Sequence, residues 1–184
     1  MTEEEIRQKY PWATLGKTPD RKPNFITSLQ LLAEEMEDVN LRLQARYHDN
    51  EKNEVLVEEF SCEDAEYLIV AFGTCARVCQ KTVELAREKG IKVGLLRPIT
   101  LFPFPTAILK DYAQKTKAML TVEMNAGQMV EDVRLSVEHK VPVEHFGRTG
   151  GIIHTPEEIV AALEQKIINN GSFRYHKTRE SSIL

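Results

Sequence analysis

The sequence predicts a three-layer α/β/α domain on a five-stranded, mostly parallel sheet with one antiparallel edge strand. Three observations lead there. From Val55 onward, short strand-like runs alternate with longer stretches of helical period, the pattern of crossover units and of a sheet covered on both faces. The first two strand-like runs, VLVEEF and YLIVAFG, are separated only by SCEDAE. That is too short for a helical crossover, so VLVEEF is expected to be the antiparallel edge strand, a place that also suits its glutamates. Finally, the helix ends are well marked. Gly90 follows AREK as a C-terminal cap, and Thr155, Pro156 and Glu158 supply an N-cap, a first-position proline and a third-position glutamate.

Taken in order, residues 1–26 are polar and punctuated by proline, with no sustained period, and read as an extended arm or linker. Trp12 stands out there as a ring that needs a pocket. Residues 27–50 read as an amphipathic helix. Thr27 and Gln30 have capping-box spacing, and Leu29, Leu32, Met36, Val39 and Leu43 recur at near-helical steps, so Leu32, Met36 and Val39 are expected to face inward on the domain or on a partner. Residues 54–170 form the α/β domain, with strands at VLVEEF, YLIVAFG, KVGLLR, AMLTVEM and VEHFG. The helices between and after them are TCARVCQKTVELAREKG, PTAILKDYAQKT, GQMVEDVRLSVEHK and TPEEIVAALEQKIIN. Residues 171–184 are a polar tail expected to fray.

Composition narrows the function classes. The chain has 184 residues, 42% of them apolar, enough for one good core. No apolar run reaches bilayer-spanning length, and the acidic beginning MTEEEIRQKYPW lacks the order of a secretory signal. Cys62, Cys75 and Cys79 are an odd set with no C-x-x-C pair, which fits a reducing cytoplasm and neither a disulfide framework nor a zinc site. The net charge of −4 is mild and the basic residues are scattered, so no nucleic-acid partner is expected.

The chemistry a doubly wound sheet invites is dinucleotide binding. After YLIVAFG only Gly73 is present where a pyrophosphate cradle needs several glycines, and the next strand ends in Arg97 instead of an acidic residue. Cys75 lies in the first turn of a helix, where a thiol pKa can be lowered, with Cys79 one turn on. The plainer reading makes both small core residues. The five histidines show no pair at metal-ligand spacing with a carboxylate and read as surface or satisfied residues. Glu123 closes the strand AMLTVEM. Two roles stay open for it, a group that meets ligand or partner at the strand ends, or an acceptor for a neighbouring helix N-terminus that shapes the loop. The same edge should gather Gly73, Thr74, Arg97, Asn125, Gln128, Arg148 and Thr149, with the Arg148 side chain reaching outward. In LLRPITLFPFP, Pro98, Pro103 and Pro105 hold Arg97, Phe102 and Phe104 extended, with both rings on one side of a rigid apolar brace.

The ordered motifs YLIVAFGTCAR, GIKVGLLRPITLFPFP, VEMNAGQMVEDVR and GRTGG resemble the C-terminal part of the alpha subunit of 2-oxoacid:ferredoxin oxidoreductases. The branched-chain type, acting on 2-oxoisovalerate, is the nearest. NLRLQARYHDNE resembles the arm before that domain, so the likeness runs from about Asn24 to Ile168. It implies a transketolase C-terminal-like domain. It also implies a non-catalytic assembly role in an enzyme that oxidatively decarboxylates 2-oxoacids to acyl-CoA. The thiamine diphosphate, magnesium and iron–sulfur clusters are expected in other domains or subunits, and none on this chain, which lacks the cysteine spacing for clusters. The partners implied are a thiamine-binding beta subunit, a gamma subunit, ferredoxin indirectly, and a second copy of the chain. The resemblance also implies a thiamine-binding domain ahead of this one, so the chain is expected to be an excised or split part of the subunit. The competing expectation is a free-standing small-ligand or nucleotide-binding α/β protein using the strand-end cleft. Phe102, Phe104 and the strand-end residues are the candidate interface.

Overall fold

The computed structural model describes residues 1–10, 19 and 28–169. Trp12, Thr27 and residues 170–184 lie outside them. The chain divides into two units, Met1–Gln44 and Ala45–Leu184.

The first unit opens with a two-turn helix, α1 (Glu3–Lys9), inside the stretch expected to be linker. Its local chemistry accounts for it. Thr2 and Glu5 form a reciprocal capping box, and the Arg7 guanidinium meets the Glu3 carboxylate at 2.6 Å one turn back. The helix α2 (Ala33–Asn53) begins after Leu29, Leu31 and Leu32, which are all exposed, and it continues into the second unit. No residue of α2 is buried within this chain, and Leu32 and Met36 are 59% and 36% exposed. The apolar positions are there, but charged and polar neighbours dominate the sequence AEEMEDVNLRLQARYHDNEKN.

The second unit is the expected α/β domain. Its strands are β1 (Val57–Phe60), β2 (Tyr67–Ala71), β3 (Val93–Pro98), β4 (Ala118–Glu123) and β5 (Val143–Gly147), in the order β1-β3-β2-β4-β5. β1 pairs antiparallel with β3 and all other pairs are parallel. Period-two alternation sorts each strand onto two cores. Ile69, Val93, Leu95, Leu120 and Val122 face one side, where α3 (Gly73–Glu88) and α6 (Pro156–Leu163) cover them. Leu68, Val70, Leu96 and Met119 face the other, under α4 (Thr106–Tyr112) and α5 (Met129–Val137). Gly94 is required by the close approach of the chain after β1, because a Cβ there would lie 2.8 Å from the Ser61 carbonyl oxygen and 2.9 Å from Cys62 Sγ. The predicted caps of α3 and α6 are present, whereas α2 begins at Ala33, beyond the Thr27 and Gln30 spacing. Gly90, at φ +82°, donates to the Arg87 carbonyl, Ile91 donates to that of Ala86, and Thr155 with Glu158 makes a second capping box. The α6 rod ends in a π-helical segment, Glu164–Ile168.

This topology positions the site. The chain leaves β2 toward β3 on one side of the sheet and returns to β4 on the other, so the order reverses between β2 and β4. A crevice outside the carboxyl ends of two such strands is where open α/β sheets collect ligands and partners.

Candidate functional site

Glu123 is the last residue of β4 and is 1% exposed. Its carboxylate reaches over the turn 124–128 to the start of α5. Oε2 accepts the backbone N–H groups of Gln128 (3.2 Å) and Met129 (2.8 Å), and Oε1 accepts that of Val130 (3.0 Å). These amides have no intrahelical partner, and a helix start favours an anion, so Glu123 neutralises the end of α5 from inside the protein. Asn125 tightens the turn, its Oδ1 accepting the Gly127 N–H at 2.7 Å. From the far side, Gly147 pairs with Glu123 in the β4–β5 register, and Arg148 N–H donates to the Glu123 carbonyl at 3.2 Å. A side chain at Gly147 has no room, since a Cβ would meet the Asn125 carbonyl oxygen at 2.2 Å and His145 Cε1 at 2.4 Å. Of the two roles left open for Glu123, this geometry supports the acceptor that shapes the loop.

The other charges expected on the strand-end rim are also engaged within the domain. Arg97 pairs with Glu58 across the β3–β1 ladder at 2.8 Å. Arg148 does not extend freely outward but meets Glu158, on the first turn of α6, at 2.9 Å. That pairing needs the loop 149–155 to fold back, which no local pattern encodes. Gly73 and Thr74 are exposed at the start of α3, Gln128 is exposed at the start of α5, and Thr149 is exposed in the loop after β5.

Between these elements lies a cavity of about 210 Å³ lined by Phe72, Leu101, Phe104, Glu123, Gln128, Met129 and Asp132. It opens at the reversal point, with Phe72 following β2 and Glu123 ending β4. Of the predicted rim, the structure therefore gathers Phe104, Glu123 and Gln128 in one place. Phe102 goes elsewhere. The Phe102–Pro103 peptide is cis, and the rings do not share one side: Phe104 packs half-buried against the α4/α5 core, whereas Phe102 is 62% exposed, edge-on to Tyr47 with centroids 5.7 Å apart. Phe102 is accompanied on the surface by Leu56, Ile99 and Leu101, each about half exposed. Leu56 and Ile99 are tied directly, the Ile99 N–H donating to the Leu56 carbonyl at 2.9 Å.

Cys75 and Cys79 are core residues of α3, as the plainer reading held. The helix start does not activate Cys75. Burial, then the negative charge of Glu123, pushes its thiol up, and burial does the same for Cys79. Cys62 is likewise buried and raised, chiefly by burial.

The histidines correct the sequence reading. His154 is 3% exposed, edge-on to Phe146 at 4.9 Å, and neither ring nitrogen has a hydrogen-bond partner. His145 Nε2 is also buried without one, 3.7 Å from Glu123 Oε1. Burial lowers the pKa of both below the ordinary 6.5, and for His154 the Arg148 charge acts in the same direction. The signal missed was position. His154 directly precedes an N-cap, where a side chain commonly turns inward against the helix it introduces. Among the described residues no group of three or more His, Cys, Asp or Glu side chains could hold a metal ion, and no helix is long and apolar enough to cross a membrane.

Fold and site together define a doubly wound sheet domain whose strand-end charges are compensated internally beside exposed apolar side chains. Residues 65–159, just over half of the chain, match the family described as pyruvate:ferredoxin oxidoreductase core domain II, and the chain belongs to that family. It is similar to ketoisovalerate oxidoreductase subunit VorB of Methanothermobacter thermautotrophicus, 44% identical over 161 residues, and of Methanothermobacter marburgensis, 40% identical over 161 residues. Each alignment covers 88% of this chain and 45% of the relative, so the chain spans about half the length of these curated relatives. The 2-oxoglutarate synthase subunit KorA of M. thermautotrophicus is 36% identical over 104 residues, covering 56% of this chain and 28% of the relative. Two solved structures share the fold. One is a 2-oxoglutarate:ferredoxin oxidoreductase from Magnetococcus marinus with 2-oxoglutarate, coenzyme A and succinyl-CoA bound (TM-score 0.65, 22% identity, 75% of this chain and 24% of that one). The other is a split gene transketolase, an inactive beta4 tetramer (TM-score 0.51, 21% identity, 58% of this chain and 39% of that one). The transketolase C-terminal-like sheet expected from the motifs is the fold observed.

Proposed function

We propose that this chain serves as the assembly domain of a thiamine-dependent 2-oxoacid:ferredoxin oxidoreductase of the 2-oxoisovalerate type, an enzyme that converts 2-oxoacids to acyl-CoA in the cytoplasm. The observation that carries the reading is the contrast at the strand ends. Arg97, Glu123 and Arg148 each have an internal partner, while Leu56, Ile99, Leu101 and Phe102, at and after the end of β3, are exposed. Compensated charge beside apolar surface suits contact with protein more than proton transfer. The similarity to the ketoisovalerate subunits supports the substrate class. On this reading the thiamine diphosphate, its magnesium ion and the iron–sulfur clusters reside in other domains or subunits, and the residues here orient the assembly. Partners are a thiamine-binding beta subunit and a gamma subunit, with ferredoxin reached through them.

The test is co-purification of the chain with the thiamine-binding subunit, using wild type and Phe102→Asp. The wild type is expected to assemble. The variant, altered at an exposed position, is expected to keep its fold by circular dichroism and lose the complex. Undiminished assembly of Phe102→Asp, or binding of thiamine diphosphate to the chain alone in calorimetry, overturns the proposal.

A further inference from the structure

We propose that the cavity at the β2/β4 reversal point is a socket for one arginine side chain of the protein that docks on this edge. The inference rests on the assembly reading and names the chemistry of the contact. Size comes first. At about 210 Å³ the cavity is smaller than the roughly 300–1,000 Å³ of ordinary small-molecule sites, and it suits one large side chain better than a nucleotide.

Charge decides the occupant's sign. The lining holds two carboxylates, Glu123 and Asp132, and no cation. The amides at the start of α5 that would attract a phosphate already donate to Glu123. Asp132, exposed on the first turn of α5, makes no ion pair among the described residues. With Glu123 already holding three amides, the uncompensated charge of the lining is Asp132, which repels an anion and pairs with a cation.

The walls decide its shape. Phe72, Leu101 and Phe104 offer apolar surface to an aliphatic stem, and aromatic faces attract a planar guanidinium more effectively than a strongly hydrated ammonium. Gln128 adds an amide oxygen that accepts from a guanidinium N–H. The wall is also held in advance, since Pro103 and Pro105 flank Phe104 and are both buried. A pre-ordered wall lowers the entropy lost on binding.

The test uses the full chain with its methionine methyls labelled for NMR, following Met129 in the cavity lining. The probe is N-acetyl-arginine methylamide, with the citrulline compound as its uncharged isostere and the glutamate compound as its anionic counterpart. Arginine is expected to shift the Met129 methyl saturably, with a dissociation constant on the order of millimolar. Citrulline should bind roughly fivefold more weakly and glutamate not at all, and Asp132→Asn should weaken arginine roughly three- to fivefold. Absence of a saturable shift, equal binding of citrulline, or an unchanged affinity in Asp132→Asn overturns the socket. The assembly reading is scored separately by co-purification. A complex that forms while the arginine titration fails removes the socket alone, and a titration that succeeds without any complex removes the assembly reading alone.

Discussion

The Glu123 carboxylate and the Met129 amide, 2.8 Å apart, join the end of β4 to the start of α5 across a buried turn. With Gln128 and Val130 also donating, one side chain satisfies three of the amides that a helix start leaves open. The expected consequence of Glu123→Gln is therefore a loss of stability, and any loss of assembly follows from it. The amide keeps one acceptor oxygen but turns an NH₂ toward backbone donors. A defect of about 1–3 kcal/mol is expected, read as a lower urea midpoint with an unchanged slope. A Glu123→Gln chain as stable as wild type would return this residue to the docking surface.

Gly147 faces Glu123 in the ladder and backs onto Asn125 and His145. Gly147→Ala places a methyl group against the Asn125 carbonyl oxygen, and backbone yields poorly. The expected loss is about 1–3 kcal/mol. Gly150, at φ +69° with nothing within 4 Å of an added Cβ, meets only the conformational penalty, about 1–2 kcal/mol. Urea unfolding of the two variants side by side checks the order, with Gly147→Ala the more harmful of the two.

The brace separates packing from docking. Phe104 is half-buried against the α4/α5 core, so Phe104→Ala is expected to cost about 3 kcal/mol of stability. Phe102 touches Tyr47 edge-on but remains mostly exposed, so Phe102→Ala should cost under about 1 kcal/mol while weakening assembly more than Phe104→Leu does. Urea titration and co-purification on the same preparations check both halves.

What could be read from the sequence was local. All five strands and the four helices between and after them appear where the periodicity put them, because each strand's apolar run and each helix's apolar repeat is a pattern within a short stretch of chain. The antiparallel edge followed from the length of SCEDAE alone. The rim did not follow, because its pairings depend on sheet register and on how a loop turns back, neither of which a local pattern encodes. Arg97 meets Glu58 across the sheet, and Arg148 reaches Glu158 only after the loop turns back. Burial of His154 depended on the same loop. The stripe of α2 was legible as a pattern, but a pattern does not say whether anything covers it.

His154, buried, and His145, partly buried, set a pH dependence whose sign can be worked out. His145 and His154 have pKa values lowered from 6.5 in the folded chain, first by burial. Glu123 opposes the shift at His145, while Lys166 and Arg134 reinforce it. At His154, Arg148 and His145 reinforce the shift, and Glu158 opposes it. A lowered pKa means that the unfolded chain takes up protons before the folded one as pH falls, so stability rises with pH across this window. The histidine contribution is whole above about 6.5 and is lost as pH drops through that value toward the lower folded pKa values. Melting temperatures at pH 7.5, 6.5 and 5.5 should fall in that order. His154→Phe keeps an aromatic ring beside Phe146 and has no proton to take up, so its decline between pH 6.5 and 5.5 should be shallower than that of the wild type. A parallel decline in the two proteins would show that His154 is not the group being titrated.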